Sequence, residues 1–184
     1  MRWRVSVGYP VAVIFWAFAW PTLRSIFLGG AVVALGLFIR GASSGSLRKD
    51  KELATSGPYA LTRNPLYLGS AFIAAGFIIS GHSWWAGTLV AVYFAVFYYA
   101  VMRNEEEDLR ERFGTAFDEY AVRVPFFFPR IAGISGEPSV PAWPASAFSW
   151  AQYRRNREYQ ALIGSIVGLA FMFLRMWVRT RLGY

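Results

Sequence analysis

Residues 64–102 read NPLYLGSAFIAAGFIISGHSWWAGTLVAVYFAVFYYAVM, and this stretch decides the class of fold. Its 39 residues lie between Arg63 and Arg103 and carry no formal charge at neutral pH, with His82 as their single titratable base. About 20 apolar helical residues are needed to cross a hydrocarbon layer of ~30 Å, so the stretch is long enough to cross a membrane twice. The Ser-Gly-His-Ser segment at 80–83 has the composition of a tight turn. We therefore predict two membrane spans over 64–102.

The whole chain shares this apolar character. Of its 184 residues, 55% are hydrophobic, 18% are aromatic and only 16% are charged, whereas soluble domains average about 25% charged residues. This composition excludes an ordinary cytosolic globule and a disordered chain. Because the chain has no cysteine and a single histidine, a disulfide-built module, a thiolate metal site and a multi-histidine metal site are excluded as well, and we expect no metal.

The net charge of +8 does not indicate nucleic acid. Lys and Arg stand at the edges of the apolar runs, where they would meet anionic lipid headgroups, instead of forming a stripe that could follow a phosphate backbone. We therefore expect membrane lipids as partners, and no nucleic acid.

We predict one membrane domain over 1–184. Its segments, in order, are a helical hairpin (5–39), a cytoplasmic loop (40–63), two spans (64–102), a cytoplasmic or interfacial segment (103–158) and a possible last span (159–178). Pro21 would form the turn of the hairpin, and the prolines and tryptophans of 131–153 predict an interfacial loop. Apolar residues recur every three or four positions from Leu109 to Val124, which indicates an amphipathic helix. The fold class is an all-α integral membrane protein with four or five transmembrane helices and a cytoplasmic amphipathic helix.

The distribution of Lys and Arg predicts the orientation. With the N-terminus in the cytoplasm, 15 basic residues lie inside and four lie outside, as the positive-inside rule requires. We expect an inner or plasma membrane protein whose N-terminus and active site are cytoplasmic. Arg175, Arg179 and Arg181 fit least well: either they snorkel outward, or the last segment does not fully cross.

Two clusters of polar residues lie on the predicted cytoplasmic side. The first, TSGPYALTRNPLYLG at 55–69, combines a Gly-Pro turn, Arg63 at the membrane edge and Pro65 in the first turn of a helix. A helix N-terminus offers free N–H groups to a carboxylate or phosphate, and Gly69 would let a ligand approach the backbone. The alternative interpretation is a membrane-entry turn with a snorkelling arginine and interfacial tyrosines.

The second cluster is Glu105-Glu106-Glu107-Asp108. Neighbouring helix positions point about 100° apart, so at most two of the three glutamates can face one pocket. The acids either form a solvated face, at the start of a new helix where the dipole favours them, or hold a cation.

These clusters together resemble the isoprenylcysteine carboxyl methyltransferase family and the related phospholipid N-methyltransferases. The family pattern is Gly-x-Tyr, then Arg-His-Pro-x-Tyr-x-Gly, and later Glu-Glu, Phe-Gly, spaced tyrosines and Arg-Val-Pro. The similarity covers 55–130, and the matching residues are Gly57, Tyr59, Arg63, Pro65, Tyr67, Gly69, Glu105, Glu106, Phe113, Gly114, Tyr120, Arg123, Val124 and Pro125. The sequence departs from the pattern at Asn64, which replaces the family histidine and cannot titrate.

The resemblance implies that the cofactor is S-adenosylmethionine. It assigns Glu105 and Glu106 to the ammonium group of the cofactor, and the remaining expected cofactor-binding residues are Tyr59, Arg63, Asn64, Pro65, Tyr67 and Gly69. The expected catalytic residues are Arg63, Tyr67 and Arg123, with an arginine anchoring the acceptor or the cofactor carboxylate.

The function implied is transfer of a methyl group to a lipophilic acceptor that enters from the bilayer. A carboxylate acceptor, similar to an isoprenylcysteine, is favoured because it is already ionised at neutral pH and needs no general base. The alternatives are an amine N-methyltransferase acting on phospholipids, a reductase similar to the NADPH-dependent sterol reductases, and a non-enzymatic membrane scaffold.

Overall fold

The computed structural model describes residues 3–47, 52–129 and 148–182, with side chains in the first helix described from Gly8 onward. All regular structure in these residues is helical, which confirms the all-α class. The helices are α1 (Trp3–Phe18), α2 (Leu23–Ser46), α3 (Pro65–Gly81), α4 (Trp84–Phe113), α5 (Thr115–Arg123), α6 (Trp150–Arg155) and α7 (Tyr159–Leu182), with a 3-10 turn at Gly57–Ala60.

Three of these helices are long and apolar enough to cross a membrane: α2 with 24 residues, α4 with 30 and α7 with 24. Two shorter apolar helices cover Gly8–Phe18 and Pro65–Gly81. At a rise of 1.5 Å per residue, the second of these is about 25 Å long, slightly less than a ~30 Å hydrocarbon layer. The four or five spans predicted from the sequence thus correspond to three helices of sufficient length and two shorter ones, and the protein is an integral membrane protein.

The chain forms two compact units, and α2, α3, α4 and α7 contribute residues to both. The apolar unit comprises 1–37, 71–100 and 161–184. Its buried centre is made by Phe15, Ala19, Ala86 and Met172. Most of its other large side chains are exposed, including Trp84 at 90%, as expected for a surface whose solvent is lipid.

Glycines bring α2 and α3 close together in the apolar unit. A Cβ atom built on Gly76 would lie 2.6 Å from the carbonyl oxygen of Gly29. Helices in membranes commonly associate through such small residues, because close backbone approach replaces the hydrophobic effect as a source of attraction.

The polar unit comprises 38–70 and 101–160, and it differs from the sequence prediction in its helix boundaries. Helix α2 continues to Ser46, into the segment that we predicted as a loop over 40–63. The hydroxyls of Ser43 and Ser46 donate to the carbonyls of Ile39 and Ala42 one turn earlier, so the polar sequence is satisfied within a helix.

The acidic cluster does not begin a new helix, because α4 runs without a break to Phe113. The amphipathic helix predicted over 109–124 is instead divided at Gly114, whose φ of 52° lies in the left-handed region that glycine adopts at little cost. Arg110 Nε bonds Asp118 Oδ1 at 2.8 Å across this bend and holds α5 to the end of α4. Of the loop predicted over 131–153, residues 131–147 lie outside the described part, and α6 begins at Trp150.

Candidate functional site

The polar unit contains a cavity of about 320 Å³, a volume within the usual range for small-molecule sites. Its walls come from Leu47 just after α2, the segment 52–67, the last turns of α4, and α5. The polar and charged residues of the wall are Glu52, Tyr59, Arg63, Asn64, Tyr67, Glu105, Glu106, Asp108, Arg112 and Tyr120.

The turn that precedes α3 is fixed by the Pro-Phe-Phe-Phe-Pro segment at 125–129. The Arg63 N–H donates to the Pro125 carbonyl at 2.9 Å. Thr62 Oγ1 donates to the Phe127 carbonyl at 2.9 Å, and Asn64 Nδ2 donates to the Phe126 carbonyl at 3.0 Å. Three consecutive residues are therefore held by three consecutive carbonyls, and Arg63 enters the cavity from a backbone that cannot move freely.

Asn64 has a structural role in this turn. Its side chain is 7% exposed and uses its amide N–H to satisfy a carbonyl of the facing segment. An amide carries this donor at every pH, so the contact does not depend on protonation.

Arg63 forms an ion pair with Glu106 in the cavity wall. Nη1 of Arg63 lies 2.8 Å from Oε1 of Glu106, and Nη1 of Arg103 lies 3.5 Å from Oε2. Glu106 is only 4% exposed. Even so, Oε1 of Glu106 and Nε of Arg63 have no well-directed hydrogen bond among the described residues. Buried polar atoms normally find a partner, so this pair retains bonding capacity inside the cavity.

Tyr67 and Glu105 make a second contact between α3 and α4. The Tyr67 hydroxyl donates to Oε2 of Glu105 at 2.7 Å, in an exposed position. A short bond from a hydroxyl to a carboxylate is charge-assisted. It joins the start of α3 to the acidic cluster at the solvent-facing part of the wall.

Tyr59 and Tyr120 form the buried part of the wall. The Tyr120 hydroxyl donates to the Tyr59 carbonyl at 2.7 Å. Burial raises the pKa of both phenols well above the ordinary value; for Tyr59 the nearby Glu105 adds to the rise, whereas for Tyr120 the positive charge of Arg63 opposes it. Both hydroxyls are therefore protonated at neutral pH and are not available as bases.

The cavity brings together seven of the eight cofactor-binding residues proposed from the sequence: Tyr59, Arg63, Asn64, Pro65, Tyr67, Glu105 and Glu106. Gly69 is buried in α3 and does not line the wall. Arg123, proposed as catalytic, is exposed on α5, donates through Nε to the Glu119 carbonyl at 3.1 Å, and does not line the wall either.

Further wall residues were absent from the sequence prediction. Asp108, Leu109 and Arg112 follow Glu105 at helical spacings of three, four and seven, so they share its face of α4, while Glu107 is not part of the wall. That periodicity was a usable signal. Glu52 lies in a segment without regular structure, and no pattern indicated it.

The wall carries more negative than positive charge. Four carboxylates (Glu52, Glu105, Glu106 and Asp108) face two guanidinium groups (Arg63 and Arg112). Clefts lined predominantly by one sign of charge concentrate ligands of the opposite sign. Within the residues that the structure describes, no group of three or more histidine, cysteine, aspartate or glutamate side chains is arranged to hold a metal ion.

Comparison with known proteins identifies relatives. A cobalt-zinc-cadmium resistance protein, CzcN, of Cupriavidus metallidurans is 35% identical over 148 residues, covering 73% of this chain and 65% of that protein. A nickel-cobalt-cadmium resistance protein, NccN, of Alcaligenes xylosoxydans xylosoxydans is 33% identical over 143 residues, covering 71% and 64%. The chain thus spans just under two thirds of the length of these relatives.

No solved structure matches the chain significantly. The family model described as phospholipid methyltransferase matches residues 24–116, which is half of the chain and includes the Arg63 turn and the acidic cluster. This match confirms the resemblance drawn from the two motifs: the chain belongs to the phospholipid methyltransferase family of membrane proteins.

Proposed function

We propose that this protein is an integral membrane methyltransferase that moves a methyl group from S-adenosylmethionine to an amphiphilic acceptor. The observation that carries the proposal is the ion pair between the partly exposed Arg63 and the buried Glu106 in the wall of a cavity of about 320 Å³. The amino acid end of this cofactor is a zwitterion, so it needs a carboxylate and a cationic group side by side.

The residues of the wall fit this zwitterion. Glu105 and Glu106 would hold the ammonium group. Arg63 and the free N–H groups at the start of α3 would hold the carboxylate. The incompletely bonded atoms, Oε1 of Glu106 and Nε of Arg63, support this assignment because a bound zwitterion would supply the missing partners.

The remaining part of the wall suits the positive sulfonium. The excess of carboxylates attracts a ligand with a net positive charge. Phe113 and Phe117 add aromatic surface, and aromatic faces stabilise cations. The sulfonium supplies an electrophilic methyl group, and the protein contributes chiefly by holding the acceptor in line with it.

Arg63 and Tyr67 are the wall residues proposed to position the reactants. Arg63 is held by the turn, and Tyr67 by Glu105. Because Tyr59 and Tyr120 stay protonated, and Asn64 cannot titrate, none of these three residues is proposed to accept a proton.

Two acceptor classes remain, each favoured by a different observation. The absence of a titrating group at position 64 favours a carboxylate, because an ionised acid needs no deprotonation. The excess of carboxylates in the wall favours an amine as the second candidate, since a cationic acceptor would be attracted and an anionic one repelled.

A reductase binding NADPH is supported less well. A dinucleotide phosphate carries several negative charges, and the wall offers two arginines against four carboxylates. A non-enzymatic scaffold would need neither the cavity nor the buried ion pair. Because the wall has fewer cationic groups than a dinucleotide phosphate needs, it suits S-adenosylmethionine better than NADPH.

Ligand binding by the purified protein tests the proposal. We expect S-adenosylhomocysteine to raise the melting temperature in detergent, and NADPH to leave it unchanged. Transfer of label from S-adenosylmethionine into a membrane lipid extract, followed by identification of the product, would name the acceptor class. Stabilisation by NADPH alone, or by neither compound, would overturn the proposal.

The names of the two relatives suggest one further set of measurements in this melting experiment. Both are named for resistance to metal ions, including cobalt and cadmium. The same melting experiment with Co²⁺, Zn²⁺ and Cd²⁺ separates methyl transfer from direct metal binding: stabilisation by a metal ion and not by S-adenosylhomocysteine would favour the latter.

We also propose that the cavity faces the cytoplasm, where S-adenosylmethionine is made, in an inner or plasma membrane. The support is the distribution of Lys and Arg: with the N-terminus in the cytoplasm, 15 of them lie on the cytoplasmic side of the membrane and four on the other side. The lipophilic acceptor would then enter from the bilayer.

A further inference from the structure

One end of the apolar unit collects arginines. It is formed by the connection between α1 and α2 and by the C-terminal turns of α7. The arginines concerned are Arg24, Arg175, Arg179 and Arg181, and we refer to them together as the arginine end. They include the three residues that fit least well with a simple membrane crossing.

Arg175 is held by the end of α1. Its Nε donates to the Ala19 carbonyl at 2.8 Å, and its Nη2 donates to the Ala17 carbonyl at 2.8 Å. These carbonyls lie where helix α1 ends and would otherwise lack partners. Both bonds are to neutral oxygens, so the guanidinium is positioned but its charge is not neutralised.

Two further arginines lie against tryptophan rings. The Arg179 Cζ is 3.2 Å from the centroid of Trp20, and the Arg181 Cζ is 5.5 Å from the centroid of Trp177. A guanidinium on an indole face is stabilised and oriented. The Nε of Arg179 is buried and has no hydrogen-bond partner among the described residues. Helix α7 continues to Leu182, so these arginines belong to an ordered helix and do not interrupt it.

The arginine end has no acidic counterpart. The sequence of the apolar unit, at 1–37, 71–100 and 161–184, contains no aspartate or glutamate. Arg24 is exposed one turn after Trp20, at the start of α2. Arg175 and Arg179 therefore lie against the connection between α1 and α2. Arg24 follows that connection in the sequence, Arg181 lies two positions beyond Arg179 on α7, and the sequence of the unit offers no Asp or Glu side chain to any of them.

We propose that the arginine end binds the phosphate of an anionic phospholipid. The arginines lie at the ends of apolar helices, where a membrane-spanning helix meets the lipid headgroups. Carbonyls orient Arg175, and indole rings orient Arg179 and Arg181. Guanidinium groups bind phosphate oxygens through paired N–H donors. The exposed Trp20 and Trp177 present the amphipathic rings that lie at the headgroup level of membranes. A freely snorkelling arginine would be solvated by water and would need none of these contacts.

Lipid retention by the full chain tests this proposal. The protein is purified in detergent, mixed with phosphatidylglycerol, phosphatidylcholine or inorganic phosphate, and examined by native mass spectrometry and by thermal melting. We expect bound phosphatidylglycerol and a raised melting temperature, little effect of phosphatidylcholine, and none of inorganic phosphate. Stabilisation by phosphate alone to the same extent would show an anion site without a lipid and overturn the proposal.

Variants locate the binding. Arg24→Gln and Arg181→Gln remove exposed guanidinium groups that make no hydrogen bond to the backbone of the described residues, so folding should persist. We expect each to lower the affinity for phosphatidylglycerol about fivefold, which corresponds to the ~1 kcal/mol that one basic residue contributes beside an anionic membrane surface. Arg179→Gln should lower it at least as much.

Arg155→Gln is the matched control, because Arg155 is an exposed arginine on α6 in the polar unit. It should retain the affinity of the unmodified protein. Equal retention of phosphatidylglycerol by the unmodified protein and by an Arg24→Gln/Arg181→Gln double variant would refute the site. This proposal does not depend on methyl transfer, so it can fail while the proposed function stands.

Discussion

In the cavity wall, Nη1 of Arg63 lies 2.8 Å from Oε1 of Glu106. Each side chain still has a buried polar atom without a well-directed hydrogen bond among the described residues, Nε of Arg63 and Oε1 of Glu106. Removing two charges from water is costly, and an ion pair repays that cost only when further hydrogen bonds complete it. In this pair, the further hydrogen bonds are incomplete for both Arg63 and Glu106. The pair is therefore a weak stability device and a suitable receptor for a ligand that carries both charges.

The first prediction concerns the carboxylate of this pair. Glu106→Gln should weaken binding of S-adenosylhomocysteine by about 1.5–3 kcal/mol, the usual range for a hydrogen bond to a charged group. Isothermal titration of the purified variant measures this. Glu107→Gln is the matched control, because Glu107 neighbours Glu106 but does not line the cavity, and its affinity should equal that of the unmodified protein. Equal affinities in all three proteins would refute the assignment.

The second prediction concerns the contact between Tyr67 and Glu105. Tyr67→Phe removes a 2.7 Å hydrogen bond but keeps the ring. Because the bond is exposed, the expected loss of affinity for S-adenosylhomocysteine is about 0.5–1.5 kcal/mol. Glu105→Gln should cause a larger loss, since it removes both this bond and a charge proposed to face the ammonium group. If the Tyr67→Phe variant bound S-adenosylhomocysteine more weakly than the Glu105→Gln variant, the expected order would be wrong.

The helical class could be predicted from the sequence because it depends on local patterns, and the family resemblance supplied seven of the 18 residues of the cavity wall. The uncharged stretch over 64–102 indicated membrane helices, and the motif residues from Tyr59 to Tyr67 lie in the cavity. Arg123 lies outside the cavity wall, and its catalytic role stays a prediction, because a motif match does not show which way a side chain points on a nine-residue helix. The contact of Asn64 with the Phe126 carbonyl spans 62 positions, and no local pattern encodes such a pairing. The contacts of Arg175 and Arg179 were likewise not predictable, since their partners lie in the last turn of α1 and just after it, far away in the sequence.

The third prediction concerns the packing of α2 against α3. A methyl group added by Gly76→Ala would meet the Gly29 carbonyl oxygen at 2.6 Å, which is a backbone atom that cannot yield easily. We expect destabilisation by about 1–3 kcal/mol, typical of overpacking, measured as a lower melting temperature in detergent. Gly164→Ala on α7 is the control, because nothing in the described residues lies within 4 Å of the added atom; it should be neutral or slightly stabilising. Similar melting of both variants would show that the helices are free to separate.

The fourth prediction concerns orientation. The chain contains no cysteine, so single cysteines report accessibility directly. Thr55 and His82 are both exposed, and the charge distribution predicts that they lie on opposite sides of the membrane. In intact cells an impermeant thiol reagent should label His82→Cys and not Thr55→Cys, while both should be labelled after permeabilisation. The reverse pattern would discard the proposed topology.

The last prediction concerns the pH dependence of methyl transfer. Asn64 occupies the position of a family histidine, whose ordinary pKa lies near 6.5, and an amide has no proton to lose in that range. Burial raises the pKa of Tyr59 and of Tyr120, so both phenols remain protonated at neutral pH and lose protons only on the alkaline side of their ordinary value. Burial also raises the pKa of Glu106, whereas the positive charges of Arg63 and Arg103 oppose the rise. Because these arginines and the bound ammonium group favour the ionised carboxylate, a carboxylate acceptor predicts an initial rate at saturating S-adenosylmethionine that is constant from about pH 6 to 8. Asn64→His should introduce a transition inside that interval, because its imidazole titrates there, and it is thus the matched comparison. An amine acceptor must lose a proton before it can attack, so a steep rise of the rate with pH in the unmodified protein would reject the carboxylate and select the second candidate.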